Sequence, residues 1–152
     1  MQIDKYEDLE ELLKNFFDRK GKNRILLYGK FAVGLHLLVE RSSILSEFDY
    51  KEFTGFHSTK SFEEHVFNSY NKNLIIKDLE LHWTNKNTKS VLIKICNKKY
   101  KTHNNVPVLF IPNIDRCSLG RRFKDLNATK VFFNPTDSEI SNFLSKPNNK
   151  PC

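Results

Sequence analysis

The chain has 152 residues, 39% of them apolar and 28% charged, and a formal net charge of +7. That length suits one domain able to bury a core without metal or disulfide help, and the overall composition is that of a globular chain and not of a disordered one. The longest apolar runs, such as VPVLFIP at 106–112, are far too short to cross a bilayer, so no membrane partner is expected.

Cys96, Cys117 and Cys152 are odd in number and share no C-x-x-C spacing; with no signal peptide before them they read as free thiols of a reducing, cytoplasmic compartment. The basic balance would suit a polyanionic partner, because Lys and Arg displace counterions from a phosphate backbone. The abundance of Asn, Ile, Phe and Tyr is also what an AT-rich coding sequence produces, and that bias raises Lys without any binding purpose. Charge alone leaves DNA contact open.

In chain order, residues 3–23 place Ile3, Tyr6, Leu9, Leu13, Phe16 and Phe17 at helical steps, with acids early, bases late and Gly21 to follow. RILLY (24–28) is a continuous apolar run that suits a buried central strand, and GLHLLVERSS (34–43) reads as a helix after it. FDYKEF (48–53) alternates like a strand, while TKSFEEHVFNSY (59–70) sets Phe62, Val66 and Tyr70 on one helical face.

NLIIKDLEL (73–81) is a third apolar run. TKSVLIKICNKKY (88–100) fits a helix less cleanly, since its β-branched residues also suit a strand. NVPVLFIPNID (105–115) is apolar with prolines near its ends. Residues 119–144 hold a helical turn, a short strand KVFF (130–133) and a capped helix opened by PTDSE (135–139). Alternating helices and strands favour a three-layer α/β domain over residues 1–145, a parallel sheet covered on both faces. Residues 146–152 have no apolar anchor and read as a flexible tail.

The segment YGKFAVGLHLL (28–38) invites comparison with the phosphate loop G-x-x-x-x-G-K-[ST]. Gly29 and Gly34 stand at the right separation, followed by Leu35 and His36 in place of the lysine and hydroxyl.

Taken together, the order of segments resembles the core of an AAA+ ATPase, nearest to the replication-initiator, helicase-loader and clamp-loader branch, with the helical lid missing or truncated. RILLYGKFAVGLHLL looks like the family's first strand and phosphate loop, and NLIIKDLEL like the strand ending in its acidic pair. VPVLFIPN looks like the strand ending in a polar sensor, and SLGRRF like the element bearing an arginine finger. The resemblance implies a degenerate loop at Gly29, Lys30, Gly34, Leu35 and His36, and a degenerate acidic pair at Lys77 and Asp78, with Glu80 nearby. It also implies a sensor-like Asn113 and a finger or partner contact at Arg121 and Arg122.

The departures decide the chemistry expected. Leu35 cannot reach the outer phosphates and His36 offers magnesium no hydroxyl. Lys30 and Phe31 add bulk to the loop, and a protonated Lys77 cannot ligate a metal. The chain is therefore expected to be a pseudo-ATPase with no cofactor and no metal, ATP binding being the less favoured alternative through loop amides, Lys30 or Lys77. Lys77 and Asp78 are expected to pair where the metal would sit. For Asn113 the plain end of a strand, and for Arg121 and Arg122 a solvated pair near Asp125, weigh as much as the functional readings.

Elsewhere the sequence is less specific. The five histidines form no cluster, and His65, His82 and His103 fall in different segments, so surface or half-buried positions are expected for them. Ser42, Ser118 and Cys117 lack a hydrolase context. Trp83 with His82 is either a stacking platform for single-stranded nucleic acid or, more simply, core; NKKYKTHNN (97–105) is a basic loop or a solvated connector.

Three functions follow. The first is a non-catalytic AAA+-like subunit or adaptor in DNA replication, loading or partition machinery, acting on a protein partner, another AAA+ subunit or itself. The others are a basic nucleic-acid-binding module on a P-loop scaffold without nucleotide, and an ATPase with an unconventional loop.

Overall fold

The computed structural model describes residues 1–29, 34–53, 59–69, 71–96, 106–113 and 122–147. In chain order these form β1 (Gln2–Ile3), α1 (Tyr6–Phe17), β2 (Arg24–Gly29), α2 (Leu35–Leu45), β3 (Tyr50–Phe53) and α3 (Thr59–Phe67). There follow β4 (Asn73–Lys77), α4 (Leu79–Trp83), α5 (Lys86–Cys96), β5 (Val108–Ile111), β6 (Thr129–Phe133) and α6 (Asp137–Ser145).

Among the described residues the sheet has six strands in the order β1-β6-β2-β5-β4-β3, with every pairing parallel. β2 lies between β5 and β6 and is covered on both faces, which is why its sequence is a continuous apolar run and not an alternating one. Its side chains still alternate: Ile25 and Leu27 join the core beneath α1, α2 and α6, while Leu26 joins the core beneath α3, α4 and α5.

The chain moves from β1 through β2 to β3 with α1 and α2 on the first face. It then returns through β4 and β5 to β6 with α3, α4 and α5 on the second. Right-handed crossovers require that change of face when the direction of travel reverses. Its consequence is local: β2 and β5 are neighbours whose chains continue on opposite faces, so the topological switch point of the sheet lies at their carboxyl ends.

Three details differ from the sequence-based expectation. Ile3 is not the start of the first helix but lies on β1, paired with Phe133 on β6, because the two-residue strand completes the sheet edge before Tyr6 opens α1. Residues 86–96 are helical despite their β-branched content, since Val91, Leu92 and Ile95 lie on one buried face against the sheet. β3 is an edge strand, with Tyr50, Lys51 and Glu52 exposed and Phe53 buried.

The expected cap of the last helix is present, Thr136 accepting from the backbone N–H of Glu139. The expected tail at 146–152, NKKYKTHNN, Ser118, Cys117, Cys152, His103 and Tyr70 lie wholly or largely outside the described residues.

At the amino end of the sheet, fully buried Asn73 ties three elements together. Its Nδ2 donates to the Phe17 carbonyl at 2.8 Å, and its Oδ1 accepts from Arg19 Nε at 3.1 Å. Arg19, in the left-handed region at φ 61°, also donates to the Asn71 carbonyl and lies 4.4 Å from the Phe48 ring centroid. Beside it Arg24 is buried at the start of β2, donating to the carbonyls of Asn23, Val106 and Ile95. Its cation thereby meets the carboxyl end of α5.

Two outcomes follow. Asn73→Ala should destabilise the fold by about 1–3 kcal/mol in urea unfolding, because it strands the Arg19 Nε donor and leaves the Phe17 carbonyl with Ser46 Oγ alone as its side-chain donor. Burial pushes the Cys96 thiol up to about 12, against the opposing pull of Arg24 and of a hydrogen bond from the Asn127 backbone. Cys96 should therefore resist iodoacetamide at pH 8 in the native state and react once urea unfolds the chain, read by mass spectrometry.

Candidate functional site

In an open parallel sheet, the place for a ligand is the crevice beyond the carboxyl ends of the strands where the connections diverge. Here that is the end of β2 beside β5, bordered by the start of α2 and the end of β4. The sequence-derived residues Gly29, Gly34, Leu35, His36, Lys77, Asp78 and Asn113 all fall on this edge, carried there by three different strands and one helix. Lys30 and Arg121 lie outside the described residues, as does Phe31.

Both glycines have packing reasons of their own. Gly29 ends β2 against β6, where an added Cβ would stand 2.7 Å from the Phe133 carbonyl oxygen. Gly34 caps α2 in the left-handed region at φ +81°, and a Cβ there would stand 2.6 Å from Phe143 Cε1. Phe143 comes from α6 and is held by stacking on Tyr6, with ring centroids 4.1 Å apart and planes 5° from parallel. The sequence does not show this neighbour, because Phe143 is 109 positions from Gly34 in the chain.

After Gly34 the two expected replacements take different fates. Leu35 is buried in the first core beside Leu38 and Val39, so an aliphatic side chain at that position contributes to packing. His36 stays exposed on the same turn. Desolvation by neighbouring atoms is the largest influence on its imidazole and lowers its pKa; the Lys77 ammonium lowers it further, while Asp78 and Glu52 pull it upward.

Lys77 ends β4 and does not pair with Asp78 as expected. Its Nζ lies 2.7 Å from Glu52 Oε1 on the edge strand β3. The register explains the choice: Glu52 pairs with Ile75, so Glu52 and Lys77 point to the same face two positions apart. Asp78 instead makes the turn into α4 with φ 50°, a conformation that Asp tolerates better than most residues. Glu52 was missed in the sequence because its role depends on which strand lies beside β4.

Asn113, just past β5, is exposed, and its backbone N–H donates to both carboxylate oxygens of Glu80, at 2.9 and 2.8 Å. Glu80 is therefore engaged in joining α4 to the end of β5. Arg122 is exposed, and the pairing considered between the arginines and Asp125 is supplied by Lys89, whose Nζ is 3.8 Å from Asp125 Oδ2.

The proposed aromatic platform is overturned by burial. Trp83 packs edge-on against Phe123 at 5.3 Å with Lys89 over its ring, and His82 is 3% exposed and stacked on Phe62. His82 is thus core, neither surface nor half-buried, because α4 turns that side toward the second core. His65 is exposed. Among the described residues no group of three or more His, Cys, Asp or Glu side chains could hold a metal ion, and no helix is long and apolar enough to cross a membrane.

No protein-family model matches the chain, and no curated protein matches it.

Gly34→Ala should destabilise the fold by on the order of 2 kcal/mol, combining left-handed strain with the clash against Phe143. Adding Phe143→Leu should give a total loss smaller than the sum of the single substitutions in urea unfolding, since the two sites share one contact. His36 should also leave a signature. Its native pKa lies below the ordinary 6.5, so the unfolded chain binds more protons and the group's contribution to stability falls as pH drops through 6.5 toward the lowered value. The difference in urea midpoint between pH 7 and pH 5 should therefore shrink in His36→Gln.

Proposed function

We propose that the chain is a degenerate P-loop domain of AAA+ cast that lacks phosphoryl-transfer chemistry. It acts as a non-catalytic subunit or adaptor of DNA replication, loading or partition machinery through protein contacts. The observation that carries this reading is the Lys77–Glu52 ion pair at the carboxyl end of β4. Magnesium-assisted transfer needs anionic oxygens at that edge, to hold the metal and orient the attacking water. An ammonium occupies the position, it neutralises one nearby carboxylate, and Glu80 is engaged by the Asn113 amide.

The first turn of α2 adds to this. Leu35 is committed to the core, so no side-chain cation extends from that position toward a phosphate. The two loop glycines are accounted for by Phe133 and Phe143, which supports a loop kept for folding. The exposed Arg122, with Arg121 before it, is the element suited to contact a neighbouring subunit, where an arginine can act on another protomer's nucleotide even when its own site is inert.

Calorimetry with ATP, ADP and GTP, each with and without magnesium, is expected to show no binding at millimolar nucleotide. Micromolar, magnesium-dependent binding would overturn the proposal and favour an ATPase with an unconventional loop. Sedimentation at rising protein concentration is expected to show self-association that Arg121→Ala with Arg122→Ala weakens. If the wild-type chain stays monomeric, the partner must be a different AAA+ subunit, whose turnover should change on addition of this chain and less so with the double variant.

A further inference from the structure

Charge is biased along the strand direction, with Asp18, Glu47 and Asp49 as the acids that depart from the bias at the amino end. Acids gather at the carboxyl end of the sheet, where α1 begins with Glu7 and Asp8 and α6 with Asp137 and Glu139. Bases gather at the opposite end. Arg19, Lys20 and Lys22 lie on the α1–β2 connection, Lys72 directly precedes β4, and Lys94 sits in the last turn of α5. The Arg19 guanidinium reaches the Asn71 carbonyl and Arg24 reaches the Ile95 carbonyl, so these three segments meet along the amino edge of β4, β5 and β2.

Lys20, Lys22 and Lys94 are exposed, and among the described residues they and Lys72 form no ion pair. Helix polarity accounts for the acids and for Lys94, since each end favours the opposite charge. It does not account for Lys20, Lys22 and Lys72, which lie outside the helices.

From this placement we propose that the amino-terminal rim of the sheet, on the side away from the nucleotide-type crevice, is a binding surface for the phosphate backbone of a nucleic acid. Three neighbouring strands at ~4.8 Å spacing span about 10 Å, the axial length of about three base pairs of a duplex at ~3.4 Å rise, with about three phosphates of each strand. A lipid surface fits less well. The large apolar side chains exposed at this end, Ile44, Leu45, Tyr50 and Phe67, lie at the ends of α2 and α3 and the start of β3, with the exposed acids Glu47 and Asp49 between α2 and β3, which anionic headgroups would repel. Among the described residues, Lys20, Lys22, Lys72 and Lys94 have no exposed large apolar side chain within two positions in the chain. The proposal is independent of whether the crevice binds nucleotide.

The test is fluorescence anisotropy with a labelled mixed-sequence DNA oligonucleotide, single-stranded and duplex, using the full chain. With about three phosphates neutralised, affinity should fall roughly forty-fold for the duplex and about twenty-fold for the single strand between about 50 and about 200 mM salt. Lys20→Glu and Lys94→Glu combined should weaken binding at least tenfold at low salt. The matched control Lys5→Glu with Lys86→Glu, both exposed near the opposite end, should change it less than threefold. Unchanged urea midpoints in both variants would show that the effect is on binding and not on folding. Equal losses in the two variants would overturn the proposal, because net charge and not this rim would then govern binding. Absence of DNA binding at low salt, or binding only to phosphatidylserine vesicles, would overturn it as well.

Discussion

Burial of β2 on both faces and both edges is the constraint on which the rest of the structure depends. A strand with β5 on one side, β6 on the other and helices above and below has no polar surface to offer, and Ile25, Leu26 and Leu27 meet that requirement. With β2 central, the chain must cross to one edge and return across the other face. That change of face sets the topological switch point beside Gly29, next to the start of α2. The same path delivers Lys77 and Asn113 to one edge of the sheet from strands that adjoin only in three dimensions.

What stands at that edge is a set of internal agreements. Lys77 is neutralised by Glu52, Glu80 holds the Asn113 amide, and Gly34 makes room for Phe143. Each contact satisfies a group that a nucleotide site would leave open for ligand. Such sites usually retain some unsatisfied or strained chemistry, because function requires it. Here the left-handed residues Gly34 and Asp78 are both used to turn the chain into helices. A group of lysines without an ion pair among the described residues, Lys20, Lys22, Lys72 and Lys94, lies instead at the other end of the sheet.

The sequence was legible where periodicity is produced by a single element. The faces of α1 and α6, the run in β2 and the Thr136 cap each arise within a few residues of one another, so local spacing reports them. It was less legible where a neighbour decides. Ile3 belongs to a strand because β6 is beside it, and residues 86–96 form a helix because their apolar side meets the sheet. Trp83 and His82 sit among lysines in the chain, and α4 turns them inward.

The sequence by itself determined the alternation of helices and strands, the parallel three-layer α/β architecture and the presence of Leu35, His36 and Lys77 at the loop and strand ends. These are properties of residue type at a position, and they need no partner to be read. Only the tertiary structure decided that Lys77 turns to Glu52 and not Asp78, that Phe143 is the reason for a glycine at 34, and that the bases collect at the amino edge. Each of these depends on which strands lie side by side, and strand order is set by long-range packing that local sequence does not encode.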